Sequence, residues 1–134
     1  MASVCAPGLL RHLPSFTTGE ISRFALSKLR SMNCHAGTML RLGLMRGVIH
    51  LSNELGLTHW CAIMEPALIR LLQAHAIHYL PIGPRVEYHG LRQPCYAEVS
   101  SVVERGRSER WEAWNYCTRG GALSHNPAPA VLAA

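Results

Sequence analysis

Gly19-Glu20-Ile21-Ser22-Arg23-Phe24-Ala25-Leu26-Ser27-Lys28 sets three polar side chains, Glu20, Ser22 and Arg23, in what reads as a buried strand over residues 20–27. A strand covered on both faces runs apolar and one covered on a single face alternates, so polar groups in this pattern need partners or a ligand. The stretch is therefore a candidate site as well as a structural element. Residues 1–18 before it contain Pro and Thr without a clear period and read as an irregular lead-in.

After a loop over residues 29–36, Gly37-Thr38 offers a helix start with Thr38 as the cap. From Met39 to Leu55, apolar residues recur at Leu40, Leu44, Val48, Leu51 and Leu55, the spacing of an amphipathic helix that Gly56 ends. Trp60 to Met64 reads as a core strand. Pro66 suits the first turn of a second helix that runs to about His75, with Leu68, Leu71 and Leu72 inward. His78 to Ile82 reads as the next strand and Gly83-Pro84 as a turn. Val86 to Val99 reads as an extended pair, bulged around Gly90 and Pro94.

The order strand, helix, strand, helix, strand, strand predicts an α/β (α+β) fold, a mixed central sheet flanked by helices. Its first two strands run parallel through a crossover helix. Residues 100–118 read as a surface helix carrying Val102, Val103, Trp111 and Trp114, and residues 119–134 as a disordered Ala- and Pro-rich tail.

The 134 residues allow one domain, and 49% hydrophobic against 16% charged residues is the balance of a chain that folds. Net charge is +5, with twelve Arg and one Lys scattered in no block of five. A nucleic-acid stripe clusters such residues with aromatics, so no nucleic-acid partner is expected. The scattered charge suits either a basic surface without a specific role or attraction of an acidic partner. All eight acids are Glu, which excludes mechanisms needing an Asp of this chain.

Five dispersed Cys without a C-x-x-C pair predict reduced thiols and no zinc or redox motif. His75 with His78, and His59 with Cys61, have metal-like spacing, but nothing completes a four-ligand set, and no metal is expected. Arg11, His12 and Pro14 interrupt the apolar patch at Gly8-Leu9-Leu10 before a leader forms. The helical span at 36–51 carries Arg41 and Arg46 and is short for a membrane, so a cytoplasmic location without a transmembrane segment is expected.

Two further segments follow the first in order: His59-Trp60-Cys61-Ala62-Ile63-Met64-Glu65-Pro66, and residues 81–96, Pro-Ile-Gly-Pro-Arg-Val-Glu-Tyr-His-Gly-Leu-Arg-Gln-Pro-Cys-Tyr. With the first, they make residues 19–97 resemble the acyltransferases associated with bacterial exosortase and PEP-CTERM protein-sorting systems. That group is similar to N-acyl amino acid synthases and to acyl-homoserine-lactone (autoinducer) synthases. The resemblance implies part of a GNAT-like fold and transfer of a fatty acyl group from acyl carrier protein or acyl-CoA to an amino group.

In that fold the strand at 20–27 splays from the strand at 59–64 and the pantetheine arm lies in the gap. The resemblance then implies thioester and pantetheine contacts at Ser22, Phe24, Ala25 and Leu26, with Trp60 and Ile63 along the acyl channel. The lactone synthases' Glu-x-Ser-Arg-Phe run is matched at Glu20, Ser22, Arg23 and Phe24, which makes Glu20 the proton acceptor. Arg23 is then its ion-pair partner or the holder of an acceptor carboxylate. Glu87, His89 and Arg92, with Gln93, become acceptor-binding residues.

Plainer roles stand beside these. Glu20 and Arg23 can be a pair that fixes strand register, Trp60, Ile63 and Met64 can be core, and residues 87–93 can be a polar hairpin. Glu65 before Pro66 reads as a helix cap.

Residues 29–37 hold only Gly37 where GNAT enzymes have a Gly-rich pyrophosphate loop, which favours acyl carrier protein as donor. Leu72 stands where many GNAT enzymes carry an acidic Tyr on the second helix. Nineteen residues precede Glu20, so the chain resembles a C-terminal half. The alternative is an inactive remnant or a partner-binding domain, and a homo-oligomer is a further expectation.

Overall fold

The run His59-Trp60-Cys61-Ala62-Ile63-Met64 forms an inner strand of a mixed sheet, and the other elements are arranged about it. The computed structural model describes residues 8–22 and 34–123. After a 3-10 turn at Leu9–His12 come β1 (Thr18–Ile21), α1 (Cys34–Leu55), β2 (His59–Met64), α2 (Pro66–Gln73), β3 (Leu80–Pro81), β4 (Val86–Glu87), β5 (Leu91–Glu98), α3 (Val99–Glu109) and α4 (Trp111–Thr118). Strand order is β1-β2-β5-β3, with β4 also on β5. β1 and β2 are parallel and joined through α1, as the sequence predicts, and every other pairing is antiparallel.

Register assigns the two faces of the sheet, because partners across a ladder point the same way and neighbours along a strand point oppositely. Gly19 and Ile21 on β1 share a face with Trp60, Ala62 and Met64 on β2 and with Cys95 and Ala97 on β5. These strand residues, apart from Gly19, meet Leu42, Met45 and Ile49 of α1, Leu72 of α2, Val99 and Val102 of α3 and Cys117 of α4 in one hydrophobic cluster. All four helices thus contribute to the core on a single face. The opposite face carries Thr18, Glu20, His59, Cys61, Ile63, Pro94, Tyr96 and Glu98, and none of these joins that cluster.

Several sequence expectations change. The first strand is Thr18–Ile21 and not 20–27: Glu20 and Ser22 are exposed, Ser22 lies past the strand, and residues 23–27 lie outside the described residues. Glu20 is presented outward by the strand and needs no buried partner. α1 starts at Cys34, so Gly37 and Thr38 are interior helix positions and Thr38 is not the cap. Of the predicted stripe of α1 only Val48 packs against the core: Leu40, Leu44, Leu51 and Leu55 are exposed while Leu42, Met45, Ile49 and Ser52 are buried.

The end of α1 is as expected. Gly56 at φ 68° lets the Gly56 N–H reach the Asn53 carbonyl at 3.4 Å and the Leu57 N–H reach that of Ser52 at 2.8 Å, satisfying two terminal acceptors. Pro66 opens α2, where Leu72 is buried and Leu71 is exposed against expectation. The single surface helix over 100–118 is two helices broken at Arg110, whose backbone (φ −142°, ψ 71°) leaves the helical region. Trp111 is exposed and Trp114 buried, with their rings stacked at 4.9 Å. The tail expected over 119–134 is ordered at its start, where residues 119–123 form turns that bring Leu123 against the core, and the rest lies outside the described residues.

β3 is shorter than the predicted 78–82 strand for a reason in the sequence. Ile82 N–H donates to the Pro94 carbonyl at 3.0 Å, and Pro94 has no N–H to return. In the next position back, Pro81 takes a donor from the outer side of the same strand.

Candidate functional site

The sheet face away from the helices carries the groups with useful chemistry. Glu20, Cys61, Tyr96 and Leu80 lie in one row across β1, β2, β5 and β3. With strands about 4.8 Å apart, the Glu20 and Tyr96 backbones are about 10 Å apart. His59 stands two residues before Cys61 on the same face, next to Thr18 and Glu98.

His59 and Tyr96 open on a cleft of about 330 Å³ that His12, Leu13, Pro81 and Ile82 complete. The chain ahead of β1 forms one wall of it, held by the buried Leu13. Thr17 fastens that wall. Its carbonyl accepts from the N–H groups of Thr58 and His59, at 2.8 and 3.2 Å, and its hydroxyl lies 2.7 Å from that of Thr58. The Thr58 hydroxyl also lies 2.9 Å from His59 Nδ1, which orients the imidazole and leaves Nε2 as its other exchangeable site. Tyr96 also borders a second depression of about 170 Å³, with His78, Leu80, Glu98, Ser101 and Arg105.

One sheet face thus offers a carboxylate, an imidazole and a phenol, a set able to accept and return protons, with the buried Cys61 among them. The Cys117 thiol is unsuited to that work. Cys117 is buried between α4 and α1 with its Sγ 3.6 Å from the Leu42 carbonyl, and burial pushes its pKa up to about 11. Tyr79 is closed off too: 2% exposed and stacked with Trp60, its hydroxyl has no partner among the described residues, and burial holds its pKa far above the ordinary range.

The residues singled out from sequence are distributed as follows. Glu20 sits on the site face, within the hydrogen-bonded part of the β1–β2 ladder. Among the described residues that pairing runs from Thr18 and His59 to Ile21 and Ala62. Arg23, Phe24, Ala25 and Leu26 lie outside the described residues, as does any gap beyond them.

Trp60 points the other way. It is 1% exposed, and its Nε1 donates to Ser52 Oγ at 2.7 Å, so it is a core side chain and lines no channel on the Glu20 face. Ile63 is half-buried and does share that face.

Glu87, His89 and Arg92 come together, but in a hairpin network. Glu87 accepts from the Gly90 N–H at 3.1 Å. Arg92 donates from Nε to the Tyr88 carbonyl at 3.0 Å and from Nη2 to the His89 carbonyl at 2.8 Å, and its Nη1 is 2.7 Å from Glu65 Oε1. Glu65 therefore pairs with Arg92 and makes no side-chain cap on α2. Gln93 donates to the Gly83 and Pro94 carbonyls. His89, exposed at φ 52°, packs edge-on to Tyr88 at 4.7 Å.

Sequence reasoning missed Tyr96 and weighed His59 only as a metal ligand. The signal was the two-residue alternation along 59–64 and 91–98, which puts both with Cys61 once register is known. Comparison of the chain with protein-family models, curated proteins and solved structures finds no match. Among the described residues no His, Cys and Glu group could hold a metal ion, and no helix is long and apolar enough to cross a membrane.

Proposed function

We propose that this chain is part of a cytoplasmic N-acyltransferase of the exosortase-associated, GNAT-like group, taking its acyl group from acyl carrier protein or acyl-CoA. The observation that carries the reading is the parallel β1–β2 pair joined by α1, which sets Glu20 in one row with Cys61 and Tyr96.

In the reaction, the acceptor's amine attacks the thioester carbonyl and a tetrahedral oxyanion forms. The ammonium proton passes to Glu20 directly or through water, and the C–S bond breaks as the carbonyl re-forms. The resemblance assigns the oxyanion to backbone N–H groups of residues 24–26 and the acceptor carboxylate to Arg23, all of which lie outside the described residues. The sequence offered Leu72 where a proton donor was sought. Tyr96 and His59, on the same sheet face as Glu20 and beside the cleft, are the groups suited to return a proton to the departing thiolate.

The test is incubation with acyl-acyl carrier protein or acyl-CoA and free amino acids, with the acyl amide sought by mass spectrometry. Glu20→Gln is expected to lower turnover by about 10²–10⁴. No amide from either donor overturns the reading. The rival, a partner-binding unit without turnover, is favoured by the exposed leucines of α1 and predicts no thermal stabilisation by either thioester.

A further inference from the structure

Leu40, Leu44, Leu51 and Leu55 are 48, 40, 52 and 62% exposed although they lie on the same helix as the buried Leu42, Met45 and Ile49. At 100° per residue the four fall within an arc of about 60°, and they extend for about 22 Å along α1. Val48 is half-buried beside them, and Gly47 bares the backbone, since a side-chain carbon there would meet nothing within 4 Å. The helix is apolar on two sides, and one side has no cover among the described residues.

The spacing identifies what covers it. Leu40 and Leu55 are equally far from the midpoint between Gly47 and Val48, and so are Leu44 and Leu51. Turned end for end, the stripe matches itself, which is the requirement for a two-fold contact in which one patch serves both copies. Gly47 at the midpoint lets two helices approach closely where their axes cross.

Size agrees with a modest contact. The exposed parts of the four leucines make a patch of roughly 350–400 Å², the scale at which exposed apolar surface marks an interaction site. Two such patches, with flanking surface from His50, Glu54 and Val48, reach about 1,000 Å², the lower bound for specific association. An interface at that bound is reversible and of micromolar strength.

We propose that α1 is the contact surface of a reversible homodimer, in which two copies of this chain pack antiparallel through Leu40, Leu44, Leu51 and Leu55. The contact places Leu40 against the partner's Leu55 and Leu44 against the partner's Leu51. It does not depend on the acyl-transfer reading, because the stripe lies away from the sheet face that carries Glu20.

Sedimentation of the full chain from low micromolar to near-millimolar concentration is expected to give a monomer–dimer equilibrium. Leu44→Glu combined with Leu51→Glu is expected to weaken it by about a hundredfold or more, with far-ultraviolet circular dichroism and melting unchanged. Leu71→Glu, on α2, leaves it unaltered. In the antiparallel arrangement Gly47→Cys forms an inter-chain disulfide above the background of native thiols, whereas Leu40→Cys does not, because its two copies stand about 22 Å apart. A monomer at every concentration overturns the proposal and gives the stripe to a different chain. So does a dimer indifferent to the two glutamates, or equal cross-linking at residues 40 and 47.

Discussion

Trp60 Nε1 donates to Ser52 Oγ at 2.7 Å, and Ser52 donates in turn to the Val48 carbonyl at 2.6 Å. The two side chains are 1% exposed, so this chain of bonds ties the inner strand β2 to α1 where water cannot compete. It also explains which side of α1 turns inward, since Ser52 is the one hydroxyl on the helix placed to satisfy a buried indole. Ser52→Ala strands the Trp60 N–H and is expected to cost about 1–3 kcal/mol in urea unfolding, without a change in slope. Loss of less than about 0.5 kcal/mol would mean another acceptor takes over.

The hairpin joining β4 to β5 depends on Arg92 more than on its ion pair. Glu65 is 60% exposed, so solvent screens the charge contact, and Glu65→Gln is expected to cost under about 0.5 kcal/mol. Arg92→Ala also removes two bonds to the Tyr88 and His89 carbonyls and is expected to cost about 1–2 kcal/mol, with faster amide exchange at Tyr88 and Gly90. Lysine lacks the planar fork and should rescue little of this.

Gly19 on β1 lies beneath Leu57, and a side-chain carbon at Gly19 would sit 2.7 Å from Leu57 Cδ1. Gly19→Ala is expected to cost under about 1 kcal/mol in the native background, because the mobile end of the half-buried Leu57 side chain can move aside. Combined with Leu57→Ala, the added cost should fall close to zero, which a double-mutant cycle reads directly.

His75 makes stability sensitive to mild acid. Burial lowers its pKa from 6.5, helped by the charges of Arg110 and Arg41, so the folded chain holds this proton less tightly than the unfolded one. Stability from this residue is complete above pH 6.5 and declines as pH falls through that value. Melting temperature should drop between about pH 7 and 5, and His75→Gln should flatten the drop. A wild-type curve as flat as the variant's would remove His75 from the account.

The parallel strand–helix–strand unit, the Pro66 start of α2, the Gly56 end of α1 and the hairpin at Gly90 were readable because each has a local cause: an apolar run, a fixed φ, a left-handed residue. The inward face of α1 was not. Leu40, Leu44, Leu51 and Leu55 satisfy helical spacing as well as Leu42, Met45 and Ile49 do, and only the contact of Ser52 with Trp60 decides between them. The site was half readable for a similar reason. Glu20 stood out by type, whereas Tyr96 and His59 acquire meaning only from β2–β5 register, which no local pattern encodes.

Pro81 and Pro94 give the β3 side of the sheet a property beyond its brevity. Bonds to β5 occupy the inward direction at Ile82, so Pro81 faces outward, and the rim there displays a carbonyl with no amide hydrogen beside it. A foreign strand arriving on that side meets no amide hydrogen at Pro81, which disfavours lateral strand addition at this edge.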